Sequence, residues 1–405
     1  MTHFIGIGGI GMSSLAHLLL DQGKKVTGSD QKNSPIIEQL EKRGAIIDAK
    51  AVLEADEVIV STAISENHPE RLLAKAPLLH RSELLERETN KQKLLAVTGA
   101  HGKTSTSALL AHTLQSWDPS YVIGGIVPSL PTHGHFGKGE YFVAEADESD
   151  GSFLRGNPFG AIITSTEPDH LDYWKTPEQL QNAYETFRSK VTGPLFEHGK
   201  SDWELENCKQ IGPQIHFTIS YKKNAFAPLT LNLLGTHQAQ NALAVFALCT
   251  ELGLPAGEIR RAFASFRGVE RRAEFLGEHE GALFYDDYAH HPTEVAATLK
   301  ALRAAHPKRR LVVLFQPHRY SRFAQEWKAF SQSFSHADKL IVTDVWDAGE
   351  IPIPGVCSKR FAQEMGTCYL KRDQLPGNIN SNDLIVTLGA GDITCVLRKF
   401  HCQKH

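Results

Sequence analysis

Residues 94–104 read LLAVTGAHGKT: an apolar run, then a glycine-bounded turn that ends in Lys103-Thr104. A short apolar run closed by glycine reads as a buried strand, and the stretch after Thr104 reads as a helix. Strand, glycine turn and helix in this order make a phosphate loop. Backbone N–H groups between Gly99 and Gly102 cradle phosphate, Lys103 reaches the outer phosphates, and the Thr104 hydroxyl holds Mg²⁺. The turn is shorter than the general GxxxxGK[ST] loop, so the strand before it and the helix after it carry the assignment.

A second glycine loop lies at the start of the chain. Phe4-Ile5-Gly6-Ile7 reads as a strand that runs into Gly8, Gly9 and Gly11, and Met12 to Gln22 carries apolar residues at helical spacing. Glycines there let the backbone approach a diphosphate at a helix N-terminus. The next strand, Lys25 to Gly28, ends at Ser29-Asp30, where an acidic residue is placed to bind a ribose hydroxyl. Taken alone, this loop specifies a nucleotide diphosphate, with a nicotinamide dinucleotide as the default. Taken with the first, it specifies a chain that holds one nucleotide as a handle and spends another as an energy source. A nicotinamide oxidoreductase leaves TGAHGKTST without a purpose, and a non-catalytic binding protein has no need of Lys103.

Strands alternate with helices along the whole chain, which predicts an α/β protein of three domains with mostly parallel sheets. The expected limits are 1–90, a Rossmann-like nucleotide-binding domain; 91–268, a central P-loop-type ATP-binding domain; and 269–405, a third, Rossmann-like α/β domain. Further strands are expected at Glu57–Ser61, Tyr141–Ala144, Ala161–Thr164, Leu283–Tyr285, Leu311–Phe315, Leu340–Val342 and Leu384–Leu388, with helices at Gln238–Leu252 and Thr293–Ala305. The stretch Gly193 to Pro228 reads as irregular, with weak strand signals. Of 405 residues, 41% are hydrophobic and 22% charged, enough to give each domain a core. The net charge of −3 supplies no global field for nucleic acid or an anionic membrane, so any positive charge that meets an anionic substrate is local. The six cysteines form no CxxC pair and read as reduced thiols. No apolar run is long enough to span a membrane, and the N-terminus lacks the pattern of a signal peptide. A cytoplasmic protein is expected.

The stretch VAEADESD, 143–150, places Glu145, Asp147, Glu148 and Asp150 at the end of a strand. In open α/β sheets, sites form beyond the carboxyl ends of strands, so metal work is expected here, with Glu145 as the ligand. The next strand ends in TSTEPDH, 164–170, where His170 is a second candidate ligand and Asp169 its orienting partner. Two Mg²⁺ ions would neutralise charge on a transferred phosphoryl group.

With these motifs goes a longer ordered set: HFIGIGGIGMS, GSD, STAIS, TGAHGKTST, VAEADESDGSF, TEPDHLD, LGTHQAQNALA, GVERR, DDYAHHPTE, FQPHRYSR, DAGEIPIPG and TLGAGDI. The set resembles the Mur ligase family from residue 3 to about 395. The resemblance implies an ATP-dependent ligase that joins L-alanine to the lactyl carboxylate of UDP-N-acetylmuramate through an acyl phosphate, in peptidoglycan precursor synthesis. The alternative is the related recycling ligase, which attaches a whole tripeptide to the same sugar nucleotide; EADESDGSF resembles the alanine-adding type. The resemblance assigns Gly8, Gly9, Gly11, Asp30 and Ser61 to the UDP-sugar. It assigns Gly99, Gly102, Lys103, Thr104, Ser105, His237, Asn241, Arg272 and Asp287 to ATP. Thr104, Glu145 and His170 fall to the metal, with Mn²⁺ able to replace Mg²⁺, and His318, Arg319 and Arg322 to the amino acid. Lys103, Glu145, His170, Arg272 and His290 are the expected catalytic set, with Arg272 brought to the phosphates by closure about a hinge near 268–273. Either His290 or His318 would help deprotonate the amine, and Arg319 and Arg322 would hold the carboxylate. Partners are expected to be these small molecules, without nucleic acid or membrane insertion, on a monomer or weak homodimer. The chain departs from the family at Ala100, where threonine is usual, at Ser165 and Gln238, where asparagine is usual, and in a shorter stretch around 193–230.

Overall fold

A computed structural model describes residues 1–167, 171–371, 374 and 379–402. The chain packs as two compact units: Met1–Leu205, Ile219–Ala227 and Gln240–Arg267 form one, and Glu206–Thr218, Pro228–Ala239 and Gly268–His405 the other.

The first unit contains two sheets. One is parallel throughout, in the order Ile46–Ile47, Val26–Ser29, Thr2–Ile5, Glu57–Val60, Leu78–His80. The central strand Thr2–Ile5 is fully buried and feeds the helix Ile10–Asp21. The second sheet runs Leu195–Glu197, Gly160–Ile163, Lys93–Thr98, Tyr141–Glu145, Ser120–Val122, Gly134–His135, parallel except for the last strand. Its middle strand Lys93–Thr98 is buried beyond Lys93, as an apolar run between two neighbours should be. The two sheets share one apolar core, which extends from Phe4, Leu15 and Leu19 to Val122, Phe142, Tyr184 and Phe187. The backbone of Gly134 comes so close to the helix Ile10–Asp21 that a Cβ there would lie 1.8 Å from the Ser14 carbonyl oxygen.

The second unit is built on a sheet in the order Glu274–His279, Ala282–Asp287, Asp383–Leu388, Arg310–Phe315, Lys339–Val342, Cys368–Tyr369. Only the first strand is antiparallel. Its core gathers Val313, Phe315, Phe323, Phe330, Phe361 and Val386. The helix Pro292–Ala305 starts in a capping box, with the His291 ring accepting from the Thr293 N–H and the Glu294 carboxylate from the His291 N–H.

The expected strands and helices are present, shifted by a residue or two at their ends. The stretch expected to be irregular is a correction: it contains the strands Leu195–Glu197, Trp203–Ile211, Gln214–Tyr221 and Asn224–Ala225. In Gln214–Tyr221, Ile215, Phe217 and Ile219 are buried and alternate with more exposed residues up to Ser220, which is buried too, a period-two pattern masked in the sequence by the surrounding glycine, proline and lysine. The edge strand Glu274–His279 also escaped the reading, because its half-exposed EFLGEH carries little apolar signal.

Candidate active site

In the first unit the site forms where the central strand Lys93–Thr98 ends between Gly160–Ile163 and Tyr141–Glu145. The loop after it turns on two glycines in left-handed conformation, Gly99 at φ +127° and Gly102 at φ +85°. A Cβ on Gly99 would lie 2.3 Å from the Thr164 hydroxyl and 2.7 Å from the Ser165 backbone nitrogen, so close packing also requires glycine there; one on Gly102 would lie 3.1 Å from Asn241 Oδ1, a tight contact. Asn241, expected near the nucleotide, therefore lies against the phosphate loop. Lys103 opens the helix Lys103–Thr113, whose first turn holds Thr104 and Ser105 almost fully buried.

Glu145, at the end of its strand, accepts from the Thr104 hydroxyl at 3.1 Å through Oε2 and from the Gly124 N–H at 2.7 Å through Oε1. The structure thus brings Thr104 and Glu145 together as the sequence implied. The Lys103 ammonium faces Glu148, with Asp147 at 3.9 Å. Burial opposes its charge, but the Glu148 and Asp147 carboxylates more than offset this and raise its pKa. His170 and Asp169 lie outside the described residues, as does Pro168.

At the first glycine loop, the Asp30 carboxylate accepts from the Gly8 N–H at 2.9 Å and from the Lys32 N–H at 3.3 Å. It closes the loop that Gly8, Gly9 and Gly11 form at the head of the helix Ile10–Asp21. Ser61 follows the strand Glu57–Val60 and accepts, through its carbonyl, from the Ile64 N–H at 3.0 Å. Sequence reasoning passed over Arg81. Its guanidinium stands over the loop, 2.9 Å from where a Cβ on Gly11 would be. It opens the helix Arg81–Thr89, distant in sequence from every glycine motif, and that helix start was the only signal available.

The second unit gathers the remaining candidates except Asn241. Arg272 lies 3.9 Å from Glu294 and over the ring of Tyr288, with its guanidinium carbon 5.2 Å from the ring centre. The buried Asp287 carboxylate accepts from the Ala273 N–H at 2.8 Å, the Ala289 N–H at 2.7 Å and the Thr298 hydroxyl at 3.1 Å. It thus ties the segment after Arg272 to the end of its own strand, and burial raises its pKa to about 6. His290 and His318 meet edge to face at 5.5 Å. His290 Nδ1 donates to the Tyr288 carbonyl at 3.0 Å, whereas His318 Nδ1 accepts from Arg322 at 3.3 Å. Burial, His290 and the two arginines hold His318 down to about 3. Arg319 adopts φ +65° and ψ 135°, a conformation that side-chain-bearing residues rarely take, and strain of this kind concentrates at functional sites. His237 holds an exposed position two residues beyond Gly235, with its ring packed over that glycine: a Cβ on Gly235 would lie 2.5 Å from the imidazole.

Among the described residues, no group of three or more His, Cys, Asp or Glu side chains is arranged to hold a metal ion, and no helix is long and apolar enough to cross a membrane.

These features agree with the comparisons to known proteins. Residues 1–91 match the Mur ligase family catalytic domain, 97–194 the Mur ligase middle domain, and 271–391 the Mur ligase glutamate ligase domain. The UDP-N-acetylmuramate–L-alanine ligase of Protochlamydia amoebophila is 40% identical over 97% of this chain and 96% of its own length. The enzyme of the same name from Carboxydothermus hydrogenoformans is 38% identical over 98% and 95%. The crystal structure of the UDP-N-acetylmuramate-alanine ligase of Thermotoga maritima superposes with a TM-score of 0.85 at 28% identity, covering 100% of this chain and 99% of that one. A murein peptide ligase from Psychrobacter arcticus shares the fold, with a TM-score of 0.71 at 23% identity over 99% and 98%. The chain belongs to the Mur ligase family.

Proposed function

We propose that this chain is an ATP-dependent carboxylate–amine ligase that joins L-alanine to the lactyl carboxylate of UDP-N-acetylmuramate, releasing ADP and phosphate, in peptidoglycan precursor synthesis. The observation that carries the reading is the meeting of Thr104 and Glu145 beside Lys103 at the mouth of a parallel sheet, in a chain 40% identical over nearly its full length to an alanine-adding ligase. The tripeptide-recycling reaction is not favoured, since identity to the murein peptide ligase is only 23%.

A carboxylate at neutral pH is a poor electrophile. The lactyl oxygen attacks the γ-phosphorus, the bond to the β-phosphate oxygen breaks, and ADP leaves. The L-alanine nitrogen then attacks the acyl carbon, a tetrahedral intermediate forms, and phosphate departs with the C–O bond electrons. Lys103 and Arg272 stabilise the charge that develops on the phosphoryl oxygens. The Thr104 hydroxyl and Glu145 carboxylate are hard oxygen donors 3.1 Å apart. With so few protein ligands they suit Mg²⁺, which completes its shell with water and nucleotide phosphates. Bound there, it neutralises charge on the transferred group.

Arg319 and Arg322 receive the amino acid's carboxylate. His290 is the better acceptor for the amine proton: its Nδ1 is committed as a donor, leaving Nε2 with a lone pair, whereas the His318 Nδ1 lone pair is taken by Arg322. Gly8, Gly9 and Gly11, with Asp30, Ser61 and Arg81, hold the UDP-sugar; His237, Asn241 and Asp287 serve the nucleoside of ATP. The limits 1–90, 91–268 and 269–405 for sugar-nucleotide, ATP and amino-acid domains belong to the same proposal, as does a cytoplasmic location.

ADP release is measured with ATP, Mg²⁺ and UDP-N-acetylmuramate, with and without L-alanine, and with the tripeptide in its place. Release that requires L-alanine and outpaces the tripeptide supports the reading; release indifferent to the amino acid refutes it.

A further inference from the structure

Lys103 is fully engaged before any nucleotide arrives. An ammonium has three N–H donors. Here the acceptors around Lys103 Nζ are the Gly99 carbonyl at 2.9 Å, Glu148 Oε1 at 2.8 Å and Glu148 Oε2 at 2.9 Å. The Glu148 side chain is 1% exposed and that of Lys103 16%. Burial leaves the carboxylate little room to swing away, and its backbone is anchored as well: the Glu148 carbonyl accepts from Trp174 Nε1 at 2.8 Å and from the Gly151 N–H at 3.3 Å. A phosphate oxygen can reach Lys103 only by taking a donor from one of these acceptors, and the carboxylate that competes for it is buried and anionic.

We propose that Glu148 is a positioning residue of the ATP site, a fixed counter-ion that holds Lys103 at the loop in the empty enzyme and surrenders it to a phosphate oxygen when nucleotide binds. This rests on the ATP reading above. Two consequences follow from the charge. Glu148 lowers nucleotide affinity, because its hold on Lys103 must be broken and its negative charge stays beside the polyphosphate. It raises turnover, because a buried ammonium still tethered on one side presents the donor it has surrendered in one direction. A carboxylate that merely props up the fold does neither.

The test is Glu148→Gln, which keeps the volume and one acceptor but removes the charge, with Glu148→Asp as the companion. ADP binding to the full chain is measured by calorimetry, together with the melting temperature with and without ADP. Glu148→Gln is expected to bind ADP about tenfold more tightly, to gain a larger melting-temperature shift from ADP, and to turn over about tenfold more slowly. Glu148→Asp, charged but retracted by a methylene, is expected between the two; it decides the matter alone if Glu148→Gln does not fold. ADP binding that is unchanged or weaker in a folded variant overturns the proposal while leaving the ATP reading intact. A parent chain that binds no ADP overturns the ATP site, and the proposal with it.

Discussion

The Thr104 hydroxyl donates to Glu145 Oε2 across 3.1 Å, although 41 residues separate the two in sequence. The parallel pairing of Lys93–Thr98 with Tyr141–Glu145 makes this possible, since Val97 and Glu145 are register partners and both strands end at the same level. Glu145→Gln retains the contact with Thr104 and loses only the charge. It is expected to lower turnover by about 10²-fold or more and to raise the Mg²⁺ concentration that gives half-maximal ADP release. A variant with an unchanged Mg²⁺ requirement would remove Glu145 from the metal.

Replacing Lys103 removes the one cation that the phosphate loop itself carries. Lys103→Ala is expected to cut kcat/KM by about 10³-fold with ligation measured as ADP release. Peptide-bond formation at the parent rate would refute the central role given to this lysine.

Arg319 offers a stability–activity trade. Its φ of +65° is one that glycine adopts without strain, and relief of such strain is worth about 1–3 kcal/mol. Arg319→Gly is expected to raise the melting temperature by a few degrees while raising KM for L-alanine about tenfold or more. KM for ATP should stay near the parent value. A loss confined to ATP would assign the residue elsewhere.

His17 and His133 form a buried pair, 5.2 Å apart and edge to face, between the helix Ile10–Asp21 and the strap before Gly134. Ser13 bonds to His133 at 2.7 Å, and Arg43 donates to His17 Nδ1 at 2.8 Å while also pairing with Asp21. Burial, joined by the neighbouring His133 and Arg43, lowers His17 to about 3, and burial lowers His133 to about 4. The unfolded chain takes up these protons below about pH 6.5, while the folded chain resists until much lower pH. Stability present above that pH is therefore lost as pH falls toward about 4. The melting temperature should drop between about pH 7 and pH 5, and His17→Asn should flatten that drop even if it lowers the plateau. An equally steep profile in the variant would place the acid sensitivity elsewhere.

Gly134→Ala puts a methyl where the Ser14 carbonyl already lies, 1.8 Å away. The clash is with backbone on both sides, so destabilisation by about 3 kcal/mol or more is expected, read as a lowered melting temperature or loss of soluble protein. Gly257→Ala is the control. It sits within the helix Ala256–Ser265, meets only Arg261 Nη1 at 3.8 Å, and should be neutral or gain up to about 1 kcal/mol.

Strand–turn–helix punctuation made Lys103, Thr104 and Glu145 legible, because each sits where an apolar run stops. The same punctuation located both glycine loops and nearly every strand of the parallel sheets. Four carboxylates in eight residues, by contrast, look alike in a string. That Glu145 turns to Thr104 and Glu148 to Lys103 depends on a turn at Gly151 and on the anchoring indole of Trp174. His17 was hidden for a different reason: a polar residue on an apolar helix face becomes interpretable only when His133, from a segment far along the chain, is seen opposite. Arg81 and the strained backbone of Arg319 depend on backbone paths that no local spacing encodes.

Because Leu15 and Leu19 share their core with Val122 and Phe142, and Gly134 is fitted against Ser14, the two sheets of the first unit are not separable pieces. A fragment cut near residue 90 would lose half of that core and leave an oily face looking for a partner. Anyone expressing the N-terminal sheet on its own should therefore expect inclusion bodies.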